Sequence, residues 1–175
     1  NLIFVAGKMT KAEFTFRGAI SGDDSDVSRP SCTYGETTVP PILQNAGFEL
    51  NSVTSLKVQQ MNLDMANEVA EDEDINATGA GLAGFTINGR KPNGAFNPDV
   101  VQVATYDFKS DWEDVSERAM ELTVGSVLGN KFVFSAPRVS IDSISDEDLN
   151  GKAKLNIPFR LNKNSADDEL SIIQY

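Results

Sequence analysis

The side chains available for chemistry in this chain are almost all carboxylates. Its 175 residues include 26 Asp and Glu, one Cys and no His. Without histidine, Ser-His-Asp and Cys-His mechanisms are excluded, and no imidazole is available to bind a metal. Cys32 is alone in a polar segment, so it can form neither an intrachain disulfide nor a thiolate metal cluster. We predict that Cys32 is a free thiol.

Paired carboxylates remain as a route to acid–base catalysis. A glycosidase needs two carboxyl groups about 5–10 Å apart across a cleft. A chain with this many acids produces such pairs by accident, and none stands beside a recognisable aromatic platform for a sugar. Trp112 falls on the apolar stripe of a predicted helix, so we expect it in the core. An acid-catalysed hydrolase is the least favoured class, and we predict no catalytic residue.

Two short motifs imitate ligand sites. Residues 79–84 match G-x-G-x-x-G, but a strand pattern follows them, whereas a dinucleotide site needs a helix there. Asp146–Gly151 matches the start of a calcium loop, yet Ile157 occupies the twelfth position, where a bidentate Glu belongs. We predict a turn or bulge at the first motif, a solvated hairpin connection at the second, and no cofactor or metal. A weak Ca²⁺ site at the second motif is the alternative.

One cationic segment stands out on a chain whose net charge is −11. Arg90 and Lys91 follow a predicted strand and precede a Pro-Asn-Gly turn. The segment is either a surface hairpin loop or a basic protrusion that meets an acidic stretch on a neighbouring copy, since complementary charges steer docking. The candidate assembly contacts are therefore Arg90, Lys91, Asn93, Glu71, Asp72, Glu73 and Asp74.

The net charge also bears on possible partners. An acidic surface repels phosphate backbones, which argues against sequence-specific nucleic-acid binding. The same charge favours solubility, and it would also prevent adhesion along a passage through which DNA slides. No apolar run approaches the roughly 20 residues that span a bilayer, and no signal peptide is visible, so we predict no membrane association.

Alternating hydrophobicity predicts that most elements are β-strands. Residues 56–65 change parity through Gln59 and Gln60, which indicates a β-bulge. Pro158 lacks a backbone donor, so its strand is expected at a sheet edge. Residues 19–41 read as a long polar loop. The predicted strands are 1–6, 11–17, 53–65, 84–89, 100–108, 131–136, 138–144, 152–161 and 170–175.

One helix is predicted from Ser110, which forms a capping box with Glu113, to a stop at Gly125. Its apolar face is formed by residues at helical spacing: Trp112, Val115, Ala119 and Leu122. The predicted fold is all-β, with two packed antiparallel sheets in a sandwich or barrel and one flanking amphipathic helix. It forms a single domain, residues 1–175.

Several short motifs follow one another along residues 1–110: Gly7 with the strand 11–18, Pro40-Pro41, Gly47-Phe48, residues 63–68, and residues 87–94 with Asn97-Pro98. Their order resembles that of the tail tube proteins of long-tailed bacteriophages. Ala66 stands where that pattern leads us to expect glycine, which bears on how tight the turn there can be. In that family an upstream segment usually precedes the point at which this chain starts, so we expect one to be missing.

The resemblance implies a structural protein of a virion or prophage, without cofactor or catalysis. Copies would close into rings, usually hexamers, that stack into a tube and contact other tail proteins. DNA would pass through the bore as non-specific cargo. The protein would assemble in the host cytoplasm and reside in the virion tail. Residues 21–41 and 68–81 are expected to be flexible in the free subunit and ordered between copies.

A second function class remains open beside this one. The same predicted sandwich could be a module of a phage fibre or surface protein that binds carbohydrate or a receptor. The two classes differ in a simple property, because a tube subunit self-assembles whereas a binding module can act as a monomer.

Overall fold

The computed structural model describes residues 1–18, 31, 42–44, 46–77 and 81–175. Within this part of the chain the fold is β-rich with one short helix, which confirms the predicted all-β class. The predicted loop 19–41, with Cys32 and Pro40-Pro41, lies outside the described residues apart from Ser31. The elements are β1 Leu2–Val5, β2 Lys11–Ala12, β3 Gly47–Leu50, β4 Val58–Asp64, β5 Asn67–Glu73, β6 Leu82–Arg90, β7 Asn93–Pro98, α1 Phe108–Glu113, β8 Arg118–Val124, β9 Phe132–Ile141, β10 Ser145–Leu149, β11 Lys152–Leu161 and β12 Ser171–Gln174.

Ten strands form one antiparallel sheet. Its path runs β2-β1-β4-β7-β11-β9-β8-β3, while β10 pairs with β11 and β12 pairs with β9. The other two strands, β5 and β6, pair with each other. Residues 67–90, which contain this pair, fall in a compact unit separate from the unit that holds the large sheet.

The large sheet curls around an apolar core. The rings of Phe4 on β1 and Phe134 on β9 have centroids 4.9 Å apart, although three strands separate β1 from β9. In a flat sheet that separation would be about 19 Å, since neighbouring strands lie about 4.8 Å apart. Phe96 lies deeper in the core, with ring centroids 5.6 Å from those of Phe48 and Phe159. The aromatic side chains therefore join strands that are distant in the sheet.

The strand β11 is central, which corrects the prediction that Pro158 marks an edge. It lies between β7 and β9, and Ile157 and Phe159 are fully buried. The proline is tolerated because pairing with β9 begins only at Phe159 and pairing with β10 ends at Asn156. Pro158 thus lies at the point where β11 stops pairing with β10 and starts pairing with β9, so no partner there needs its missing N–H. Its carbonyl still accepts a hydrogen bond from Asp142 N–H at 2.9 Å.

The predicted β-bulge in β4 is confirmed. Its pairing with β7 shifts register between Val58 and Met61. The side-chain oxygen of the buried Asn97 accepts a hydrogen bond from Gln60 N–H at 2.7 Å and so satisfies the backbone at the irregularity. Asn97 and Pro98 are the last two residues of β7.

The predicted helix 110–124 is wrong beyond its first turns. The N-cap is Asp107, whose carboxylate accepts from Ser110 N–H at 3.0 Å, so Ser110 and Glu113 form no capping box. The chain leaves the helix at Val115, which has a φ of 51°. Trp112 is 40% exposed and Val115 70% exposed, so neither is a core residue.

The residues that follow form β8, contrary to the predicted helical placement of Ala119 and Leu122. Met120, Leu122 and Val124 alternate and are buried, and the strand pairs with both β3 and β9. Pairing with β9 along its length and with β3 at Met120–Thr123 satisfies much of the backbone of β8, which explains why the period of two prevails over the helical spacing.

Four other predicted strands differ in the structure. The strand 11–17 ends at Ala12, and residues 100–108 form turns that lead into α1. The strands 131–136 and 138–144 join into β9, which continues through Pro137. The predicted terminal strands are confirmed, because β1 and β12 each pair antiparallel with a neighbour.

The turn between β4 and β5 carries backbone strain at Ala66. This residue has a φ of 44°, a region that favours glycine, and its N–H donates to the Asp64 carboxylate at 2.9 Å. The left-handed conformation costs a residue with a Cβ roughly 1–2 kcal/mol, which glycine would avoid. Part of that gain is lost, because glycine also has more conformational freedom than alanine in the unfolded chain.

We therefore expect Ala66→Gly to raise the free energy of unfolding by about 0.5–1 kcal/mol in urea titrations. Ala153→Gly is the matched control, because Ala153 is exposed on β11 and is not among the residues with positive φ. There glycine should destabilise by about 0.5–1 kcal/mol. A loss of stability at both positions would contradict strain at Ala66.

Candidate assembly surfaces

The acidic candidates lie on the outer strand of a hairpin. Glu71, Asp72 and Glu73 belong to β5, and Asp74 follows it. The segment 68–81, expected to be flexible in the free subunit, is paired with β6 from Glu68 as far as Glu73, opposite Leu82. Backbone hydrogen bonds and a side-chain bond from the Thr86 hydroxyl to Asp72 hold the strand despite its repelling carboxylates.

One face of this hairpin carries its apolar side chains. Val69 stands opposite Ile87, and Glu71 stands opposite Phe85, so these four residues share a face. Ile87 is 57% exposed and Val69 36% exposed. A hairpin of two strands is marginally stable alone in water, and a third strand or a packed surface is usually needed. We call Val69, Phe85 and Ile87 the hairpin face.

The basic candidates lie where β6 ends and β7 begins, and not at a hairpin tip. Arg90 ends β6 opposite Asn67, and Asn93 begins β7 opposite Asp64 and Arg160. The predicted Pro-Asn-Gly turn is therefore wrong. The side chain of Asn93 donates to Lys91 O at 2.9 Å and shapes the two-residue link.

Gly94 lies in β7 at a point where the strand packs too closely against its neighbours for a side chain. A Cβ added there would lie 2.7 Å from Phe159 Cζ, and the Asn62 carbonyl oxygen would be closer still. The glycine thus permits close packing of β7 against its neighbours, whereas the sequence pattern predicts a turn glycine.

The pairing of β5 with β6 places the acidic candidates at a distance from Arg90 of the same chain. Arg90 is next to Gly89, which pairs with Glu68, while Glu73 pairs with Leu82 near the far end. Glu71 is four residues, about 13 Å, along β5 from the Asn67–Arg90 pair. The carboxylates of residues 71–74 are thus placed away from the chain's own Arg90.

A second exposed surface lies at the C-terminal edge of the large sheet. The strand β12 contains no charged residue, and in the described part of the chain it has a partner on one side only, β9. The Tyr175 carbonyl accepts from Gly129 N–H at 2.5 Å, so the loop 125–130 lies beside the strand. The exposed apolar residues here, the C-terminal edge surface, are Val127, Leu128, Ile172, Ile173 and Tyr175.

The described residues of the two ligand-like motifs lie in turns and in the strands next to them. Gly81, with a φ of 81°, leads into β6 and not into a helix, while Gly79 and Ala80 lie outside the described residues. Asn150 and Gly151 both have positive φ and join β10 to β11, so the predicted hairpin connection is limited to these two residues, whereas Asp146 to Leu149 belong to β10. In the described ranges no three or more Cys, Asp or Glu side chains are grouped to hold a metal ion.

A buried polar network was missed by the sequence reasoning. The Tyr106 hydroxyl donates to the buried Asp111 carboxylate at 2.6 Å, and Arg118 Nη2 donates to it at 2.7 Å. Burial, together with the bond to Asp111, raises the pKa of Tyr106 well above its usual value. The signal in the sequence was Asp111, seven residues before Arg118, which begins the alternating apolar pattern of β8. The network joins α1 to β8 and is structural.

One cavity of about 310 Å³ opens beside the core. Its wall is mainly apolar and includes Phe4, Phe48 and Met61. Among the described residues that line it, Lys57 is the one ionisable side chain, so the lining offers no pair of groups for acid–base chemistry.

No protein-family model matches this chain, and a search of curated proteins finds no match. Among the residues that the structure describes, no helix is long and apolar enough to cross a membrane.

Proposed function

We propose that this chain is a self-assembling subunit of a bacteriophage tail tube. The observation that carries the proposal is that, in the described residues, strand edges without a partner also carry exposed apolar side chains. The hairpin face and the C-terminal edge surface both have this character. Monomeric proteins usually protect such edges with charges, proline or a covering element, because an open apolar edge invites another chain to pair.

The sequence resemblance supports the same proposal at a specific residue. The family pattern leads us to expect glycine at position 66, and Ala66 has the positive φ that glycine adopts without strain. The turn geometry and the pattern therefore agree, although the residue type differs.

The proposed arrangement within the large-sheet unit is a sandwich or barrel. Contacts such as Phe4–Phe134 and Phe48–Phe96 join strands that are distant in the sheet, as the inner faces of two packed layers would. Copies of this unit would form rings, hexameric in the proposal, and the rings would stack. The net charge of −11 would keep DNA from adhering as it passes through the bore.

Light scattering coupled to size exclusion tests the proposal. We expect the purified chain to form oligomers whose mass rises with concentration, and electron microscopy to show rings or tubes. A monomer at all concentrations would contradict the proposal, and a monomer that also binds glycans would favour the alternative class of carbohydrate- or receptor-binding modules.

Arg90 and Lys91 offer a charge-reversal variant for the same experiment. Arg90→Glu with Lys91→Glu should leave the circular dichroism spectrum unchanged and slow oligomerisation, because opposite charges across an interface mainly accelerate docking. Lys109→Glu with Lys152→Glu is the matched control, since both lysines are exposed elsewhere. Assembly of the Arg90 and Lys91 variant at the wild-type rate would exclude the link as a contact.

A further inference from the structure

The indole of Trp112 is a fixed and partly exposed ring on the unit that holds the large sheet. It belongs to the only tryptophan of the chain, and the residue is 40% exposed. Its Nε1–H donates to the backbone oxygen of Asp142 at 3.0 Å, which holds the ring against the end of β9. The hydrogen bond satisfies the polar edge of the indole, so the surface that the ring presents to solvent is mainly apolar.

Asp142 connects this ring to a guanidinium group. Its carboxylate accepts from Arg160 Nε at 2.6 Å, and the two side chains are 33% and 65% exposed. Since one residue spans only about 3.5 Å, the indole N–H and the Arg160 guanidinium lie within about 10 Å of each other. Among the described residues the Nη groups of Arg160 have no acceptor, so these donors are available to a ligand.

Polar side chains continue along the same face of the sheet. Arg138, Ser140 and Asp142 alternate along β9 and its continuation, so their side chains point to one side about 7 Å apart. The Asn162 amide donates to Ser140 Oγ and to the Glu117 carboxylate at 2.9 Å each, and Glu117 accepts from Arg138 at 3.1 Å. Mutual hydrogen bonds therefore hold these groups in place. We call the following residues the polar row: Glu117, Arg138, Ser140, Asp142, Arg160 and Asn162.

Val115 adds backbone strain close to Trp112. Its φ of 51° is rare for a β-branched residue, and its N–H donates to Trp112 O at 3.2 Å at the end of α1. Glycine usually occupies this position after a helix. The valine is 70% exposed, so packing in the core does not account for it. Strained residues of this kind cluster at sites that bind ligands.

Charge indicates the class of ligand that this surface fits. Each guanidinium of the polar row is paired with a carboxylate, Arg138 with Glu117 and Arg160 with Asp142. The row has no net formal charge, and an anionic ligand would also meet the field of a chain with net charge −11. What remains is an apolar ring beside closely spaced donors and acceptors. A neutral sugar matches both, because its C–H face packs on an indole and its hydroxyl groups pair with planar side chains.

We propose that Trp112 and the polar row bind a neutral oligosaccharide. One sugar unit would stack on the indole and form hydrogen bonds with Arg160 and Asp142. Further units would extend toward Asn162 and Glu117, since the row covers about 13 Å along β9 from residue 138 to residue 142. The site lies within one copy of the chain, so this inference goes beyond the proposed self-assembly and does not depend on it.

Tryptophan fluorescence tests the site directly, because Trp112 is the only source of the signal. The probes are neutral tetrasaccharides of glucose, galactose, mannose and N-acetylglucosamine. We expect at least one of them to shift the emission of Trp112 and to reduce its quenching by acrylamide. A panel in which no sugar changes either quantity would overturn the inference.

Arg160→Ala tests the polar part of the site and leaves the indole in place. Calorimetry with the active sugar should show a loss of affinity of at least about tenfold, because a charged hydrogen-bond donor is removed. Lys152→Ala is the matched control, an exposed cation on the same strand about 26 Å away, and should bind like the wild type. Equal affinity of Arg160→Ala and the wild type would overturn the inference, and so would an equal loss in the control.

Two other results would assign the surface to a different ligand. Binding only to acidic oligosaccharides, lost at about 0.5 M salt, would contradict a neutral ligand. Protection of Trp112 from acrylamide when the protein concentration rises without sugar would show a contact between copies instead. Sedimentation velocity reports self-association separately, so a failed sugar site leaves the proposed assembly intact, and a monomeric chain leaves the sugar site intact.

Discussion

Asp111→Ala is expected to lower the free energy of unfolding by about 3 kcal/mol, because it removes the shared acceptor of a buried network. Asp111 is 5% exposed and binds both Tyr106 and Arg118. Without it, the buried Tyr106 hydroxyl is left without its acceptor, and Arg118, whose side chain is 38% exposed, loses its ion pair. Urea denaturation measured by tryptophan fluorescence would report the change.

Two further variants make this measurement specific. Asp142→Ala also removes an ion pair, but its partner Arg160 has a side chain 65% exposed, so the loss should stay below about 1 kcal/mol. Asp111→Asn keeps an acceptor for Tyr106 and should fall between the two. Equal losses for Asp111→Ala and Asp142→Ala would show that the network is not effectively buried.

Gly94→Ala is the second large effect, with an expected loss of about 3 kcal/mol or more. The new Cβ would overlap the Asn62 carbonyl oxygen and would lie 2.7 Å from Phe159 Cζ. A backbone atom and a fully buried ring cannot easily move, so β7 must separate from β4 or β11. Thermal unfolding followed by circular dichroism would reveal the shift.

Gly47 provides the matched control for Gly94. It also lies in a strand, β3, but a Cβ there would meet Thr123 Cβ at 3.7 Å, an ordinary contact. Gly47→Ala should be neutral or should stabilise by up to about 1 kcal/mol, because alanine loses less entropy on folding. Wild-type stability of the Gly94 variant would contradict the close approach of β7.

Some elements with a clear period of two could be predicted from sequence. The inward positions Ile157, Phe159 and Leu161 of β11 are all buried, and the parity change at Gln59 and Gln60 is a bulge. These features depend on neighbouring residues alone, so the local pattern contains the necessary information.

The region 108–124 shows why other elements could not be predicted. Trp112, Val115, Ala119 and Leu122 fit a helix, whereas Met120, Leu122 and Val124 fit a strand, and the two patterns overlap. The decision depends on β3, at residues 47–50, and on β9, which pair with β8 on its two sides. Partners this distant in sequence are not visible in a local window.

For the candidate assembly residues, the sequence predicted charge but not position. The cations of Arg90 and Lys91 were identified, yet their place in a link between strands depends on the fit of Gly94 against Asn62 and Phe159. The strand character of residues 71–73 depends on pairing with 82–85, which the run of carboxylates obscured. The predicted strand 11–17 is a strand at Lys11 and Ala12, and Phe14 and Phe16 are exposed despite their strong local strand pattern.

The central position of β11 has a consequence for how the chain reaches its native state. Its neighbour β7 lies some sixty residues earlier in the chain. Likewise, β3 can pair with β8 only after residues 118–124 have been synthesised. Folding therefore depends on long loop closures, which place β-rich chains in the range of about milliseconds to seconds. During synthesis β7 remains without this neighbour until residues 157–160 have emerged from the ribosome. The nascent chain thus exposes aromatic strands for most of its synthesis, a period in which chaperone binding would compete with premature contact between copies.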